Sequence, residues 1–164
     1  MPLHVHWCQA AAGDARLEQR KTSAVSTGAN DERRWRLITA LFGQVERELE
    51  AGLLRHHGLG LSEYRALAEL AGAAVGELRM QELADALGLN QSSVSRLIGR
   101  LDVAGLTRRE MCPNDRRGVY TAITERGRDR WRDAEPSYAQ TLKRALDHAA
   151  MNRDLSAVLQ ALRA

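Results

Sequence analysis

The sequence has 164 residues, with little cysteine, little proline, few aromatic side chains and no long apolar run. Its two cysteines, Cys8 and Cys112, do not make a disulfide framework, which excludes a small fold held together by disulfides. No apolar run approaches the roughly 20 residues of a membrane span. The opening segment MPLHVHWCQA lacks the basic and apolar regions of a signal peptide. We therefore expect a cytoplasmic protein without membrane association.

Helix-favouring residues are abundant, and with only three prolines they predict a mainly α-helical fold. The net charge of +3 is unevenly distributed along the chain. Residues 96–132 contain ten arginines and five acidic residues, whereas residues 31–95 contain seven arginines and ten acidic residues. Concentrated positive charge is typical of a surface that neutralises phosphates, although a merely solvated basic face has the same composition.

Two short helices joined by a tight turn are predicted in residues 80–104. Apolar residues recur there at intervals of three and four, first as Met80, Leu83, Ala84 and Leu87, then as Val94, Leu97, Ile98 and Leu101. Gly88 favours the left-handed conformation that ends a helix, and Asn90 is a good cap for the next one. The pattern predicts a helix-turn-helix whose second helix spans about Asn90 to Ala104.

The opposite face of that second helix is polar, and it carries Gln91, Ser92, Ser95, Arg96 and Arg100. Small polar side chains near the start of a helix, with arginines further along, suit entry into the major groove of DNA. We expect DNA contact from these five residues, against the alternative of a solvated helix face.

A β-hairpin is predicted directly after this helix. Leu106 to Met111 and Gly118 to Ile123 favour strands, and Pro113, Asn114 and Asp115 between them favour a turn. A two-stranded wing after a recognition helix makes a winged helix-turn-helix. The segment D-x-R-x-x-x-T-x-I-T, with Asp115, Arg117, Thr121, Ile123 and Thr124, resembles the wing signature of the MarR family of bacterial transcriptional regulators. It departs from the usual pattern in Thr for Val and Ile for Leu. The resemblance covers about residues 35–162, and its specific motifs lie within residues 61–127.

The resemblance implies roles for the wing residues. Arg117 matches the family arginine that enters the minor groove, where narrow grooves attract arginine; the alternative is a solvated loop residue. Asp115 would pair with a nearby arginine and support the wing, which is compatible with an ordinary Asx-turn. Arg108, Arg109 and Arg116 are expected to contact phosphates.

The two ends of the chain are predicted to form a dimerisation arm. A helix over residues 31–57 places Trp35, Ile38, Phe42, Val45, Leu49 and Leu53 at intervals of three and four. Two apolar stripes recur in residues 131–164. We expect disorder in residues 1–30, a winged-helix domain in residues 58–130, and a homodimer built from both termini, as the resemblance implies. A two-fold dimer predicts a pseudo-palindromic operator.

The resemblance also implies a small aromatic or phenolic effector, bound between the dimer arm and the DNA-binding part. The residues at that junction are Trp35, Phe42, His56 and Tyr64. The alternative is that the aromatic residues serve packing and that His56 lies at a solvated helix end. We therefore expect a dimeric repressor that a small molecule releases from double-stranded DNA.

No catalytic arrangement, cofactor or metal site is predicted. His4, His6 and Cys8 have the side chains of zinc ligands, but they lie too close together and lack a fourth ligand. Two alternatives remain open. The first is a thiol-based redox regulator acting through Cys112 or Cys8, and the second is a winged-helix module that contacts only proteins.

Overall fold

The computed structural model describes residues 10–111 and 119–163, and for residues 10–29, 111, 154, 157 and 161–163 it describes the backbone alone. The elements are α1 (Ala10–His57), α2 (Leu61–Gly72), β1 (Glu77–Arg79), α3 (Met80–Leu87), α4 (Gln91–Val103), β2 (Thr107–Met111), β3 (Val119–Ile123), α5 (Glu125–Ala150) and α6 (Arg153–Arg163). The fold is mostly helical with a small antiparallel sheet, which confirms the predicted winged helix-turn-helix.

The chain divides into two compact units. One consists of residues 1–43 with 149–164, and the other of residues 44–148. The larger unit contains both helices of the helix-turn-helix and the whole sheet. Within the described residues, no helix combines the length and the apolar composition needed to cross a bilayer.

Helix α1 begins at Ala10 rather than at Asp31. The structure describes residues 10–30 as helical where the sequence predicted disorder, while residues 1–9 lie outside the described part of the chain. These residues include six alanines, two arginines and one glutamate, which favour helix. Because they extend an existing helix, they avoid the cost of nucleating a new one.

The core of the larger unit is built by the predicted apolar stripes. Leu83 of α3 and Val94 and Ile98 of α4 are fully buried, together with Leu67 and Leu70 of α2. Burying one such side chain stabilises the fold by about 1.5–3 kcal/mol. The core thus holds α4 by one face only.

The turn between α3 and α4 forms as predicted. Gly88 adopts φ +63°, and the Leu89 amide donates to the Ala84 carbonyl at 3.0 Å. The Asn90 side chain then accepts a hydrogen bond from the Ser93 amide at 2.9 Å, which satisfies one of the free donors at the start of α4.

Ser62, near the start of α2, is of a residue type that caps helices, but it does not cap this one. Gly60 precedes the helix, and its amide donates to Glu63 Oε2 at 3.0 Å. The Leu61 amide donates to Glu50 Oε2 of α1 at 2.5 Å. Two carboxylates therefore satisfy the free amides, and one of them comes from a different helix.

The sheet contains a third strand that the sequence did not predict. Strand β1 pairs antiparallel with β3 in the order β1-β3-β2, with Leu78 opposite Thr121. On the other side of β3, Thr107 pairs with Ile123 and Arg109 with Thr121. Three residues are too few to show an alternating pattern, so β1 forms only because β3 offers an edge.

Thr124 has a side chain that favours capping a helix, and α5 begins directly after it and runs to Ala150. The Thr124 hydroxyl oxygen accepts from the Gly127 amide at 3.0 Å. The helix runs unbroken through Pro136, a residue type that ordinarily kinks a helix or begins a new one. The buried Ala134 before it and the stacked Tyr138 after it hold the helix on both sides, which offsets the roughly 3 kcal/mol cost of an interior proline.

Candidate nucleic-acid interface

Helix α4 has one covered face and one exposed face. Val94 and Ile98 are 0% exposed and Leu97 is 2% exposed. The opposite face is open to solvent and carries the five predicted residues, namely Gln91, Ser92, Ser95, Arg96 and Arg100. The buried stripe anchors the helix, so its polar face is rigidly presented.

The start of this exposed face is already ordered by the helix cap. Asn90 Oδ1 accepts from the Ser92 hydroxyl at 2.8 Å as well as from the Ser93 amide. The Ser92 oxygen retains lone pairs that can accept a hydrogen bond from a base edge. The helix N-terminus also supplies partial positive charge and free amides, which favour an anionic partner such as phosphate.

The arginines near this face differ in their partners. Arg100 Nε donates to Glu63 Oε1 at 3.1 Å, and Arg108 Nε donates to Glu110 Oε1 at 2.5 Å. By contrast, the Arg96 side chain makes no hydrogen bond or ion pair with any described residue. Exposed ion pairs contribute only about 0–1 kcal/mol, so phosphates can replace them. Among the described residues, Arg96 is thus the α4 arginine that could bind a phosphate without first losing an ion pair.

The junction between α4 and β2 contains a residue whose contacts the sequence did not suggest. Asp102, in the last turn of α4, accepts from Arg109 Nε at 3.1 Å and from the Thr107 hydroxyl. An acidic residue within the most basic part of the chain was the available signal. A second unpredicted contact joins two strands, because Arg79 Nε donates to the Tyr120 hydroxyl at 2.6 Å.

Several predicted residues lie in segments that the structure does not describe. Residues 112–118 include Cys112, Asp115, Arg116 and Arg117, and the N-terminal Cys8 lies in residues 1–9. Their roles in minor-groove contact, wing support or redox sensing stay predictions. Among the described residues, no group of three or more His, Cys, Asp or Glu is placed to hold a metal ion.

The four predicted effector residues divide between the two units. Trp35 and Phe42 belong to the smaller unit and are 64% and 58% exposed. In the larger unit, His56 is exposed, whereas Tyr64 is buried and stacks on Tyr138 with ring centroids 4.5 Å apart. Burial raises the pKa of the Tyr64 hydroxyl. Tyr64 is therefore surrounded by protein, as expected for an aromatic residue that serves packing.

A half-open pocket of about 370 Å³ lies in the larger unit beside the end of α4. Leu59, Leu101 and Leu106 supply apolar surface, and Arg100 and Arg126 are among the charged residues that line it. Its volume is in the range of small-molecule sites. None of the four predicted effector residues lines this pocket.

The fold and this exposed face define a winged helix-turn-helix protein. A family model described as MarR family matches residues 57–118. Among solved structures, AbsC from Streptomyces coelicolor, a MarR family transcriptional regulator, is 30% identical; the match covers 79% of this chain and 86% of AbsC, with a TM-score of 0.67. The chain belongs to the MarR family of transcriptional regulators.

Two further solved structures are similar to this chain. Sco3205 from Streptomyces coelicolor, a MarR family regulator in complex with DNA, is 27% identical over 82% of this chain and 85% of that one, with a TM-score of 0.70. CouR from Rhodococcus jostii RHA1, bound to p-coumaroyl-CoA, is 29% identical over 66% of this chain and 74% of that one, with a TM-score of 0.60. The comparison with curated proteins gave no match.

Proposed function

We propose that this chain is a cytoplasmic, sequence-specific DNA-binding repressor that acts as a homodimer on a pseudo-palindromic operator and is released by a small molecule. The observation that carries this proposal is the exposed polar face of α4, with Arg96, whose side chain pairs with no described residue, at its centre. The buried apolar stripe beneath that face packs α4 against the core, so the helix can enter a groove as a fixed unit. The DNA complex of Sco3205 supports the same use of this fold.

The contacts are proposed to divide between base edges and phosphates. Gln91, Ser92 and Ser95, near the start of α4, are short enough to read base edges, as in other recognition helices. The residues proposed to hold phosphates are Arg96, Arg100, Arg108 and Arg116. Arg117 is proposed to enter the minor groove, with Asp115 supporting the wing. Phosphate contacts fix the register, while base contacts supply sequence specificity.

The dimer proposal follows from apolar surface left uncovered on α1. Trp35, Ile38 and Phe42 share one helix face and are 64%, 44% and 58% exposed. An exposed apolar stripe of this kind marks an interaction site. The occupant we propose is the same stripe of a second copy, because a two-fold interface places identical patches together. Such a dimer would present two α4 helices to half-sites about one DNA turn apart.

An aromatic or phenolic molecule is proposed as the effector. The structure of CouR with p-coumaroyl-CoA supports this chemistry for a relative. The effector would bind one spacing of the two α4 helices better than the other, and so shift the population away from the DNA-binding state. Trp35, Phe42, His56 and Tyr64 remain one proposed site. The pocket beside Arg100 is a second, because an occupant there would touch α4 directly.

The experiment that tests the function is a DNase footprint of the purified protein on the DNA upstream of its own gene. We expect a protected pseudo-palindrome, lost with Arg96→Ala and retained with Arg132→Ala. The control removes the same charge from α5, where Arg132 is exposed and pairs with Asp129. Equal protection by wild type and Arg96→Ala would contradict the assignment of the α4 face. No protection, with only weak salt-sensitive retention of any DNA, would favour the protein-binding alternative.

A further inference from the structure

The last turn of α4 and the first strand of the wing are joined by one carboxylate. Asp102 Oδ2 accepts from Arg109 Nε at 3.1 Å, and Oδ1 accepts from the Thr107 hydroxyl. Thr107 is only 3% exposed, and the Asp102 side chain is 24% exposed. Both partners belong to β2, so a single side chain of α4 contacts the strand at two positions.

Hydrogen bonds also hold the main chain between Asp102 and Thr107, but they fix only the direction of the turn. Gly105 adopts φ +71°, and the Leu106 amide donates to the Leu101 carbonyl at 2.9 Å, which ends α4 in a Schellman motif. The Thr124 hydroxyl lies 2.9 Å from the Gly105 carbonyl oxygen. None of these backbone contacts reaches beyond the start of β2, whereas Asp102 reaches Arg109.

We infer that Asp102 is a positioning residue that sets the angle of the wing against the recognition helix, and that Arg109 serves this contact rather than a DNA phosphate. The inference rests on the proposed function. It accounts for an acidic residue on a surface proposed to bind phosphates, where an unpaired carboxylate would repel the ligand. It also removes Arg109 from the phosphate contacts that its sequence position suggested.

Geometry explains why this angle matters. From Thr107 to Met111 the strand extends by about 13 Å, at roughly 3.3 Å per residue. A tilt on the order of 10° at the root therefore moves the far end by about 2 Å. Hydrogen bonds tolerate only a few tenths of an ångström, so residues beyond β2 would lose their DNA contacts.

The test measures operator affinity at several salt concentrations for Asp102→Asn, Arg109→Gln and the double variant. Asn retains an oxygen for the Thr107 hydroxyl but offers an amide nitrogen, which cannot accept from a guanidinium. We expect each single change to weaken binding by roughly 3- to 30-fold, and the double variant to bind no worse than the weaker single variant. The slope of log affinity against log salt should be the same in Asp102→Asn and in Arg109→Gln, because both changes displace the same wing contacts.

The chain offers a matched control pair on α5. Asp129 and Arg132 form an exposed ion pair at 3.0 Å, so Asp129→Asn and Arg132→Gln change the net charge by the same amounts. Both controls are expected to bind within about twofold of wild type. Thr107→Val is a further variant, which removes the second donor to Asp102 without any change in charge. It should weaken binding and give the same salt slope as Asp102→Asn.

Two results would overturn the inference. A salt slope lower by about one in Arg109→Gln than in Asp102→Asn would make Arg109 a phosphate contact. Binding by Asp102→Asn as tight as that of the Asp129→Asn control would remove the positioning role. The thermal melting of each variant is recorded beside its affinity, and affinities are compared below every melting transition. A failure of wild type to bind any operator would instead contradict the proposed function, and it is established separately by the footprint.

Discussion

Two helices of this protein have the same apolar spacing and opposite surroundings. In α4, the stripe of Val94, Leu97 and Leu101 is at most 2% exposed. In α1, Trp35, Ile38 and Phe42 recur at the same intervals, yet they are 44–64% exposed. The spacing of the apolar residues therefore identifies a helix face that must be buried. It does not show whether the surface that buries it belongs to the same chain. On α4 the polar face is left for a ligand, and on α1 the apolar face is left for a partner.

The largest effect is expected from breaking the exposed stripe of α1. Trp35→Ser combined with Phe42→Ser should convert the proposed dimer to monomer, because each buried aromatic contributes about 1.5–3 kcal/mol from each of two copies. Sedimentation velocity measures the mass. Val75→Ser is the matched control, since Val75 is 76% exposed and lies in the other unit. A dimer that survived the double change would refute this interface.

Disrupting the buried apolar stripe of α4 should lower the stability of the fold rather than the association of two copies. Ile98→Ala is expected to lower the free energy of unfolding by about 2–5 kcal/mol, because Ile98 is fully buried and a cavity would remain. Urea unfolding measured at a fixed protein concentration tests this. A loss below about 0.5 kcal/mol would show that the stripe does not support α4.

Two arginine variants test the proposed DNA contacts of the polar surface. Arg117→Ala should weaken operator binding by roughly 1–3 kcal/mol, because Arg117 is proposed to enter the minor groove. Arg108→Ala should weaken all DNA about equally and reduce the salt slope by about one. Titrations with operator and unrelated DNA separate the two. Operator binding unchanged by Arg117→Ala would contradict the wing assignment.

The smallest effect is expected from releasing Arg100. Glu63 holds Arg100 Nε at 3.1 Å and also accepts from the Gly60 amide. Glu63→Gln removes the negative charge and keeps an acceptor for that amide. Operator affinity should rise by up to about 1 kcal/mol, as expected for an exposed pair that competes with phosphate. Glu69→Gln, on the same helix and exposed, is the control for net charge. A fall in affinity would show that the pair orients Arg100 productively.

Elements with local causes were predictable from the sequence. The faces of α3 and α4, the Gly88 turn, the Asn90 cap and the Thr124 cap each depend on residues within a few positions of one another. The two wing strands agree with their predicted bounds to about one residue, the usual uncertainty of strand ends. The exposed residues of α4 follow from the same periodicity, since the face opposite a buried stripe is the one left to solvent.

Features with distant causes were not predictable. Strand β1 exists because β3 supplies an edge, more than forty residues along the chain. The cap of α2 depends on Glu50, and the continuation of α5 through Pro136 depends on packing around it. The partners of the arginines are the clearest case, because nothing in the local pattern distinguishes Arg96 from Arg100.

The sequence by itself determined the winged helix-turn-helix, its polar recognition face and the family resemblance, because periodicity, caps and turns are short-range and recur along the chain. Only the tertiary structure decided which cations on that face are already neutralised, and which carboxylate joins the recognition helix to the wing. Ion pairs form between side chains that folding brings within about 4 Å, and that proximity is a property of the packed core beneath them.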